Sequence, residues 1–234
     1  SIEDCFEEFT PFIFALETGL SSDPPMNRRV SSLDRFVLVS NSDAHSPARL
    51  AREANIFSCD LSYHDMMAAL KHKDEKRFKG TIEMFPQEGK YHYDGHRLCG
   101  QCLSPQDMAL HNNLCPVCGR KATIGVMHRV ETLADRKEGF SPSSTFGFTS
   151  LVTLDKILSE LYAKGVNTKT VQDQYMRLIS EYGNEISILK DCPVSCFEKI
   201  KDGRLSAAIE NMRKGRVTIN PGYDGVYGVV KTDH

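Results

Sequence analysis

Several features that would identify a class of protein at once are missing from this sequence. Its apolar runs stay far short of the ~20 residues that a membrane-spanning helix needs, which excludes a transmembrane or lipid-anchored protein. It contains no sequence of the form G-x4-G-K-[ST], which excludes a helicase motor in this chain. It also has no secretory signal, so we expect a cytoplasmic protein without contact to a membrane.

A large excess of charge is missing as well. The formal net charge is −2, which argues against a protein that coats nucleic acid by bulk charge, although a local basic face remains compatible with it. The 234 residues, 40% of them hydrophobic and 26% charged, can bury a real core and indicate one to two domains.

The most specific pattern present is a set of four cysteines with the spacing C-x2-C-x12-C-x2-C: Cys99, Cys102, Cys115 and Cys118. This spacing brings four thiolates within reach of one tetrahedral ion, at ~2.3 Å for each Zn–S bond. Disulfides are the alternative, but paired C-x2-C motifs more often indicate metal or redox chemistry. We therefore predict a zinc ribbon with structural Zn²⁺. The other cysteines are irregularly spaced and are predicted to be free thiols: Cys5, Cys59, Cys192 and Cys196.

Two apolar segments, residues 12–16 and 36–39, are predicted to be strands of a largely parallel sheet. Two strands cannot form such a sheet alone, so we expect its other strands to lie upstream of this sequence. Further along the chain, residues 63–71 and 127–135 have helical character, and residues 78–85 alternate as a strand does. The predicted fold is α/β, followed by a small zinc ribbon and an α-rich carboxyl-terminal region.

The predicted domain organisation has four parts. The end of an α/β domain covers residues 1–62, and the zinc ribbon with its flanking elements covers 63–136. A loop or hinge rich in glycine, serine and proline follows at 137–150, and a helical domain covers 151–234. Apolar residues recur on one helical face in this last part, at Leu154, Ile157, Leu158 and Leu161.

Asp43 and His45 follow the second predicted strand. Catalytic groups and ligands gather at the carboxyl ends of parallel strands, and a D-x-H sequence there directs a carboxylate and an imidazole to one point. The pair is a candidate clasp for a divalent metal, with Glu17, at the end of the first strand, as an outer or ligand carboxylate. Alternatively, Asp43 caps a helix that begins near Pro47, and Glu17 is a solvated charge.

The loop between the two strands carries Ser21, Ser22, Asn27 and Arg28. These hydrogen-bond donors could hold a phosphate or contact a base edge, or could simply order a turn that contains two prolines.

Tyr91 and Tyr93 lie just before the first zinc ligand, among basic residues. Such a mixture suits a surface that stacks on nucleotides, and packing of the ribbon explains the tyrosines almost as well.

Taken together and in order along the chain, these motifs resemble the endonuclease Q family. The resemblance spans essentially the whole sequence and depends on the four cysteines and on four segments: residues 17–27, 40–46, 89–97 and 221–228. That family joins a PHP (polymerase and histidinol phosphatase) phosphoesterase domain to a zinc-binding insertion and a helical carboxyl-terminal region. It nicks DNA on the 5′ side of uracil, hypoxanthine, xanthine and abasic sites, and some members carry a UvrD-type helicase-related name.

The resemblance implies that residues 1–62 are the carboxyl-terminal end of a PHP-type barrel that lacks its amino-terminal half. Asp43 and His45 would then bind catalytic Zn²⁺, Mn²⁺ or Mg²⁺ in the full-length protein. The H-x-H motif that begins PHP domains is missing before Glu17. We therefore expect this chain alone to be inactive.

Two alternatives remain at this point. One is a zinc-containing module that binds DNA or a repair partner such as the sliding clamp, without catalysis. The other is a PHP phosphatase of small phosphate esters, which suits the D-x-H motif but leaves the zinc ribbon unexplained.

Overall fold

The computed structural model describes residues 1–142, 146–201 and 203–233, and has a mixed α/β fold. Its strands are β1 Ala15–Glu17, β2 Val37–Val39, β3 Ala54–Phe57, β4 Phe78–Glu83, β5 Asp94–His96, β6 Gln101–Leu103, β7 Gly147–Ser150, β8 Val217–Asn220 and β9 Val229–Thr232. Its α-helices are α1 Ile2–Phe6, α2 Pro24–Arg28, α3 Tyr63–Lys71, α4 Pro105–Leu110, α5 Val126–Leu133, α6 Leu154–Tyr162, α7 Lys169–Tyr182 and α8 Arg204–Arg213. None of the helices in the described ranges is long and apolar enough to cross a membrane.

The first two strands, β1 and β2, pair in parallel as predicted, with Glu17 opposite Val39 at their carboxyl ends. The first begins at Ala15 rather than at residue 12, because Pro11 lies in a 3₁₀ helix that continues through Phe12. The described residues form only two- and three-stranded sheets, with no closed barrel.

A second sheet has the order β3-β4-β7. The central strand β4 is antiparallel to β3 and parallel to β7. The segment predicted as a linker, residues 137–150, therefore ends in a strand that belongs to this sheet. Residues 143–145 of that segment lie outside the described residues.

The main hydrophobic core lies in the carboxyl-terminal part of the chain. The predicted face of α6 is buried, and it packs with residues of α7, α8 and a π-helical turn at Ser187–Asp191. This core also contains Ile82 of β4 and Val230 of β9. The helical region and the second sheet thus share one core.

The predicted zinc-binding region contains the short antiparallel hairpin β5-β6 and the helices α4 and α5. The segment 221–228 packs against it. Tyr93 N–H donates to the Gly222 carbonyl (2.9 Å), and Asp224 accepts hydrogen bonds from Arg97 N–H and the Thr123 hydroxyl, both at 2.6 Å. The end of the chain is therefore fastened to the zinc-binding region.

Candidate metal and DNA-binding sites

Four potential zinc ligands meet at the tip of the β5-β6 region. The ligand atoms of His96, Cys99, Cys115 and Cys118 all lie within 4.8 Å of one another. His96 Nδ1 is 3.5 Å from Cys118 Sγ. Imidazole and thiolate are the ligands that zinc prefers, and a closed set of four is typical of a structural site. The donor set therefore fits zinc.

Two similar turns present these four ligands. Each has two ligands separated by two residues and ends in a glycine with left-handed backbone: Gly100 at φ 64° and Gly119 at φ 69°. A side chain would be strained in that conformation, which explains the glycine after each second ligand. His96-x2-Cys99-Gly100 thus repeats the register of Cys115-x2-Cys118-Gly119. That repeat is visible in the sequence and could have identified His96.

Cys102 is not part of this cluster, in contrast to the predicted four-cysteine set. It lies on β6 opposite Gly95, whereas His96 pairs with Gln101. Successive residues of a strand point to opposite faces, so Cys102 and His96 lie on different faces of the hairpin. The Cys102 thiol instead donates to the Pro221 carbonyl oxygen at 3.7 Å.

The environment of Cys115 favours a thiolate. Burial raises the pKa of this thiol, but hydrogen bonds from the backbone N–H groups of Cys118 and Val117, together with those of the Cys118 and His96 side chains, lower the pKa to about 7. The hydrogen bond with Cys118 and burial instead raise the pKa of Cys99 to about 11. A thiolate is the form that binds metal.

The predicted catalytic pair lies at the carboxyl edge of the parallel strands. Asp43 and His45 are both exposed, and His45 Nδ1 donates to the Asp43 carbonyl oxygen at 2.7 Å. Glu17 is exposed at the end of β1, on the same edge. Within the described ranges, these three residues do not form a compact ligand cluster as the cysteines do.

A buried carboxylate that no sequence motif indicates, Glu83, lies beneath this edge. Glu83 has no exposed surface, and its Oε2 is 3.1 Å from both the Thr18 and the Ser40 hydroxyls. Its Oε1 accepts a hydrogen bond from Thr81. Burial raises the pKa of Glu83, and these three donors act in the opposite direction.

A second buried carboxylate, Glu53, is only 3% exposed. Its Oε1 is 3.4 Å from Met84 N, and its Oε2 has no partner among the described residues. Burial, with the nearby charge of Glu83, raises the pKa of Glu53 to about 7. No local pattern predicts such burial, because it depends on strands that are distant in sequence.

The side chains of the candidate DNA-binding loop mostly order the loop itself. Ser22 donates to the Thr18 carbonyl (2.7 Å), and Asn27 Nδ2 donates to Ser22 Oγ and to the Asp23 carbonyl, both at 2.9 Å. Ser21 is exposed beside them. Of the predicted loop donors, Ser21 is thus the one most open to a ligand.

Two arginines later in this loop, Arg28 and Arg29, contact other parts of the protein. Arg28 donates to the Phe146 carbonyl (2.7 Å), and with Asn27 it lines a cavity of about 250 Å³. Arg29 is buried and makes a bidentate ion pair with Glu131 of α5, at 3.0 and 2.6 Å. Arg29 therefore joins the candidate DNA-binding loop to the zinc-binding region.

The two predicted stacking tyrosines differ in their surroundings. Tyr91 is 52% exposed. Tyr93 stacks on the buried His92, with ring centroids 5.3 Å apart, and lines a cavity of about 330 Å³ that also contacts Arg29. Burial lowers the pKa of His92 to about 4, so this imidazole is neutral. Tyr91 is thus available to a ligand from solvent, whereas Tyr93 faces a cavity.

This chain is similar in sequence to one described family and to uncharacterised proteins of two organisms. The family described as the MJ0043 C-terminal domain matches residues 153–216. The uncharacterised protein MJ0043 of Methanocaldococcus jannaschii is 33% identical over 98% of this chain and 29% of its own length. The uncharacterised protein YqxK of Bacillus subtilis is 28% identical over 96% of this chain and 54% of its own length. The chain thus spans between about a third and a half of these relatives.

Two solved structures match the fold of the whole chain. The whole chain matches the lesion-specific endonuclease PfuEndoQ from Pyrococcus furiosus with a TM-score of 0.88 and 30% identity, covering 58% of that enzyme. It also matches endonuclease Q in complex with a 27-mer duplex substrate that has an abasic lesion at the active site. There the TM-score is 0.83 and the identity 29%, over 59% of that protein. The resemblance to the endonuclease Q family that the sequence motifs indicate is thus confirmed over the full length of this chain.

Proposed function

We propose that this chain is part of a metal-dependent DNA repair endonuclease that nicks DNA on the 5′ side of deaminated bases and abasic sites. The observation that carries the proposal is the match of the entire chain to a lesion-specific endonuclease. The exposed Asp43 and His45 at the end of a parallel strand supply the chemistry that such an enzyme needs. The substrates would be DNA that contains uracil, hypoxanthine, xanthine or an abasic site.

In this proposal Asp43 and His45 hold catalytic divalent cations, with Glu17 as an outer carboxylate. Zn²⁺, Mn²⁺ or Mg²⁺ bound there would supply a nucleophile at neutral pH and neutralise charge on the phosphate that is attacked. Two ligands do not complete such a centre, so the remaining ligands would come from polypeptide outside this sequence. This chain alone would then be inactive. It would be the carboxyl-terminal part of a PHP-type catalytic domain with its zinc-binding and helical regions.

The candidate DNA-binding loop between β1 and β2 is proposed to contact the lesion. An enzyme that inspects a damaged base takes it out of the stack, at least cost where the base is mismatched or missing. Ser21, beside Ser22, Asn27 and Arg28, lies one strand from Asp43 and is open to such a base. Tyr91 offers an exposed ring for stacking on a neighbouring base.

The proposed role of zinc is structural. His96, Cys99, Cys115 and Cys118 would hold one ion and fix the β5-β6 hairpin and the turn at residues 115–118 relative to each other.

The test is a denaturing-gel nicking assay on duplexes that contain uracil, hypoxanthine, an abasic site or no lesion, with Mn²⁺ or Mg²⁺. It compares the full-length protein that carries this sequence, its Asp43→Asn variant and this chain alone. We expect a nick 5′ to the lesion from the full-length wild type only. Full-length protein that leaves every lesion intact would contradict the proposal.

The main alternative is a DNA- or partner-binding module without catalysis, with DNA or the sliding clamp as its partner. Salt-sensitive binding of the full-length protein to damaged over undamaged duplex, without any nick, would support this alternative. A phosphatase of small esters would instead hydrolyse a chromogenic phosphomonoester.

A further inference from the structure

Ser40 lies beneath the edge of the parallel strands that carries Asp43 and His45, called here the metal-binding edge. It directly follows β2, has no exposed surface, and lies three residues before Asp43. Residues 40–44 form neither helix nor strand, and Asp43 has left-handed backbone at φ 46°. The segment that presents Asp43 therefore gains no order from regular secondary structure of its own.

The side chain of Asn55, in β3, forms hydrogen bonds with both the backbone N–H and the backbone carbonyl of Ser40. Ser40 N–H donates to Asn55 Oδ1 (3.0 Å), and Asn55 Nδ2 donates to the Ser40 carbonyl (2.7 Å). The same amide nitrogen is 3.1 Å from Asn41 Oδ1. The side chain of Asn55 thus pairs with Ser40 as a neighbouring strand would, and extends the order of β2 by one residue.

Glu83 holds the side chain of Ser40 from below. Its Oε2 accepts from the Ser40 hydroxyl and lies at the same distance, 3.1 Å, from the hydroxyl of Thr18. Thr18 directly follows Glu17, and its backbone N–H donates to the Val39 carbonyl at 2.9 Å. One buried carboxylate therefore ties together the ends of both parallel strands.

We propose that Asn55 and Glu83 are positioning residues for the metal-binding edge. Their hydrogen bonds hold Ser40 in place, and so fix where the following turn places Asp43 and His45. We call Asn55, Glu83 and Ser40 together the clamp. This inference rests on the proposed function, because it assigns these residues a purpose in the same site. Groups that orient metal ligands from outside typically change metal affinity or activity by about 10- to 100-fold when they are removed.

The test measures Mn²⁺ affinity directly, by titration followed with electron paramagnetic resonance, together with kcat and KM of the nicking reaction. It uses the full-length protein and its variants Asn55→Ala, Ser40→Ala and Glu83→Gln. We expect about tenfold weaker Mn²⁺ binding in each variant and a lower kcat at limiting metal. The KM for DNA should stay within about twofold, because the clamp does not face the substrate.

Matched controls separate positioning from a general loss of stability. Asn211→Ala removes an amide that donates to the Asp233 carbonyl, and Glu185→Gln changes a carboxylate that accepts from Leu154 N–H and the Tyr175 hydroxyl. We expect Glu185→Gln to lower the melting temperature without changing Mn²⁺ affinity, and Asn211→Ala, which removes an exposed hydrogen bond, to change neither. If Asn55→Ala does not fold, Asn55→Asp serves instead, since it retains the acceptor for Ser40 N–H and loses the donor.

Clamp variants that bind Mn²⁺ as tightly as the wild type would overturn the inference, and so would a wild type that binds no Mn²⁺. Its failure is distinguishable from failure of the proposed function. If the variants bind Mn²⁺ as the wild type does and the enzyme still nicks lesions, only the positioning role of Asn55 and Glu83 is refuted. If the wild type binds Mn²⁺ and cleaves no DNA, only the endonuclease function is refuted.

Discussion

Cys102 lies directly opposite Gly95 in the β5-β6 hairpin and therefore on the face away from His96. In the cluster that the structure shows, His96, which was not predicted, takes the place of the predicted ligand Cys102. The cause is that His96 and Cys102 occupy opposite faces of the hairpin. Single substitutions at the two positions can test it.

The first prediction concerns zinc content. His96→Ala and Cys99→Ser should lower the zinc of this chain well below one ion per molecule, whereas Cys102→Ser should leave it unchanged, because only the first two side chains reach the cluster. Inductively coupled plasma mass spectrometry of the purified chain measures this. Zinc that is retained in His96→Ala and lost in Cys102→Ser would restore the four-cysteine set.

The second prediction concerns the pH dependence of stability. The pKa of Glu53 is about 7 in the folded chain, above its ordinary value of 4.5. Between those two pH values the folded state keeps a proton that the unfolded state releases, so this residue lowers the free energy of unfolding as pH rises. Glu53→Gln should therefore stabilise the chain relative to wild type at pH 8 by about 1–2 kcal/mol more than at pH 5.

Urea unfolding of both proteins at the two pH values checks the effect of Glu53. Glu198→Gln, at an exposed position, controls for the removal of one carboxylate. An equal difference between Glu53→Gln and wild type at both pH values would show that the carboxyl of Glu53 does not titrate in this window.

The third prediction concerns the turn at residues 221–228. A Cβ at Gly228 would lie 2.0 Å from the Gln87 carbonyl oxygen and 2.6 Å from Gly222 N, both of them backbone atoms. Gly228→Ala should therefore cost about 3 kcal/mol or more of unfolding free energy, because backbone cannot give way as a side chain can. The matched control Gly165→Ala meets only a Thr168 methyl at 4.0 Å and should be neutral or slightly stabilising. Equal urea midpoints for the two variants would contradict this packing.

The fourth prediction concerns the link between Arg29 and Glu131. Glu131→Ala leaves the buried Arg29 guanidinium without its bidentate partner, and should destabilise the chain by about 3 kcal/mol. Glu210→Ala removes a partner of Lys214 in an exposed i,i+4 pair, and should cost about 0.5 kcal/mol or less. Thermal melts of the two variants distinguish these effects. A loss as small in Glu131→Ala as in Glu210→Ala would mean that Arg29 finds another partner.

Local signals account for the parts of the fold that could be predicted from sequence. The helix predicted at residues 63–71 has those bounds, because Ser62 caps it and accepts a hydrogen bond from Asp65 N–H. The buried face of α6 follows from its apolar spacing. The parallel pairing of β1 and β2 follows from two apolar runs separated by a long connection.

The parts that could not be predicted depend on distant residues. The glycine, serine and proline content of residues 137–150 predicts a loop, whereas Gly147–Ser150 form β7 because β4 supplies the hydrogen bonds of a parallel neighbour. Burial of Glu83 requires hydroxyl groups from Thr18 and Ser40, which are far away in sequence. At the predicted site, the positions of Asp43 and His45 at the strand end follow from sequence, whereas the side chains that support that edge do not.

The parallel pairing of β4 with β7 has a consequence for how the zinc-binding region can be gained or lost. That region lies between the two strands in sequence, and parallel neighbours need a connection of about a dozen residues or more, since the chain must return along the sheet. The connection can become shorter, but it cannot become a tight turn. A related protein without zinc would still need a crossover of about a dozen residues to keep β7 parallel to β4.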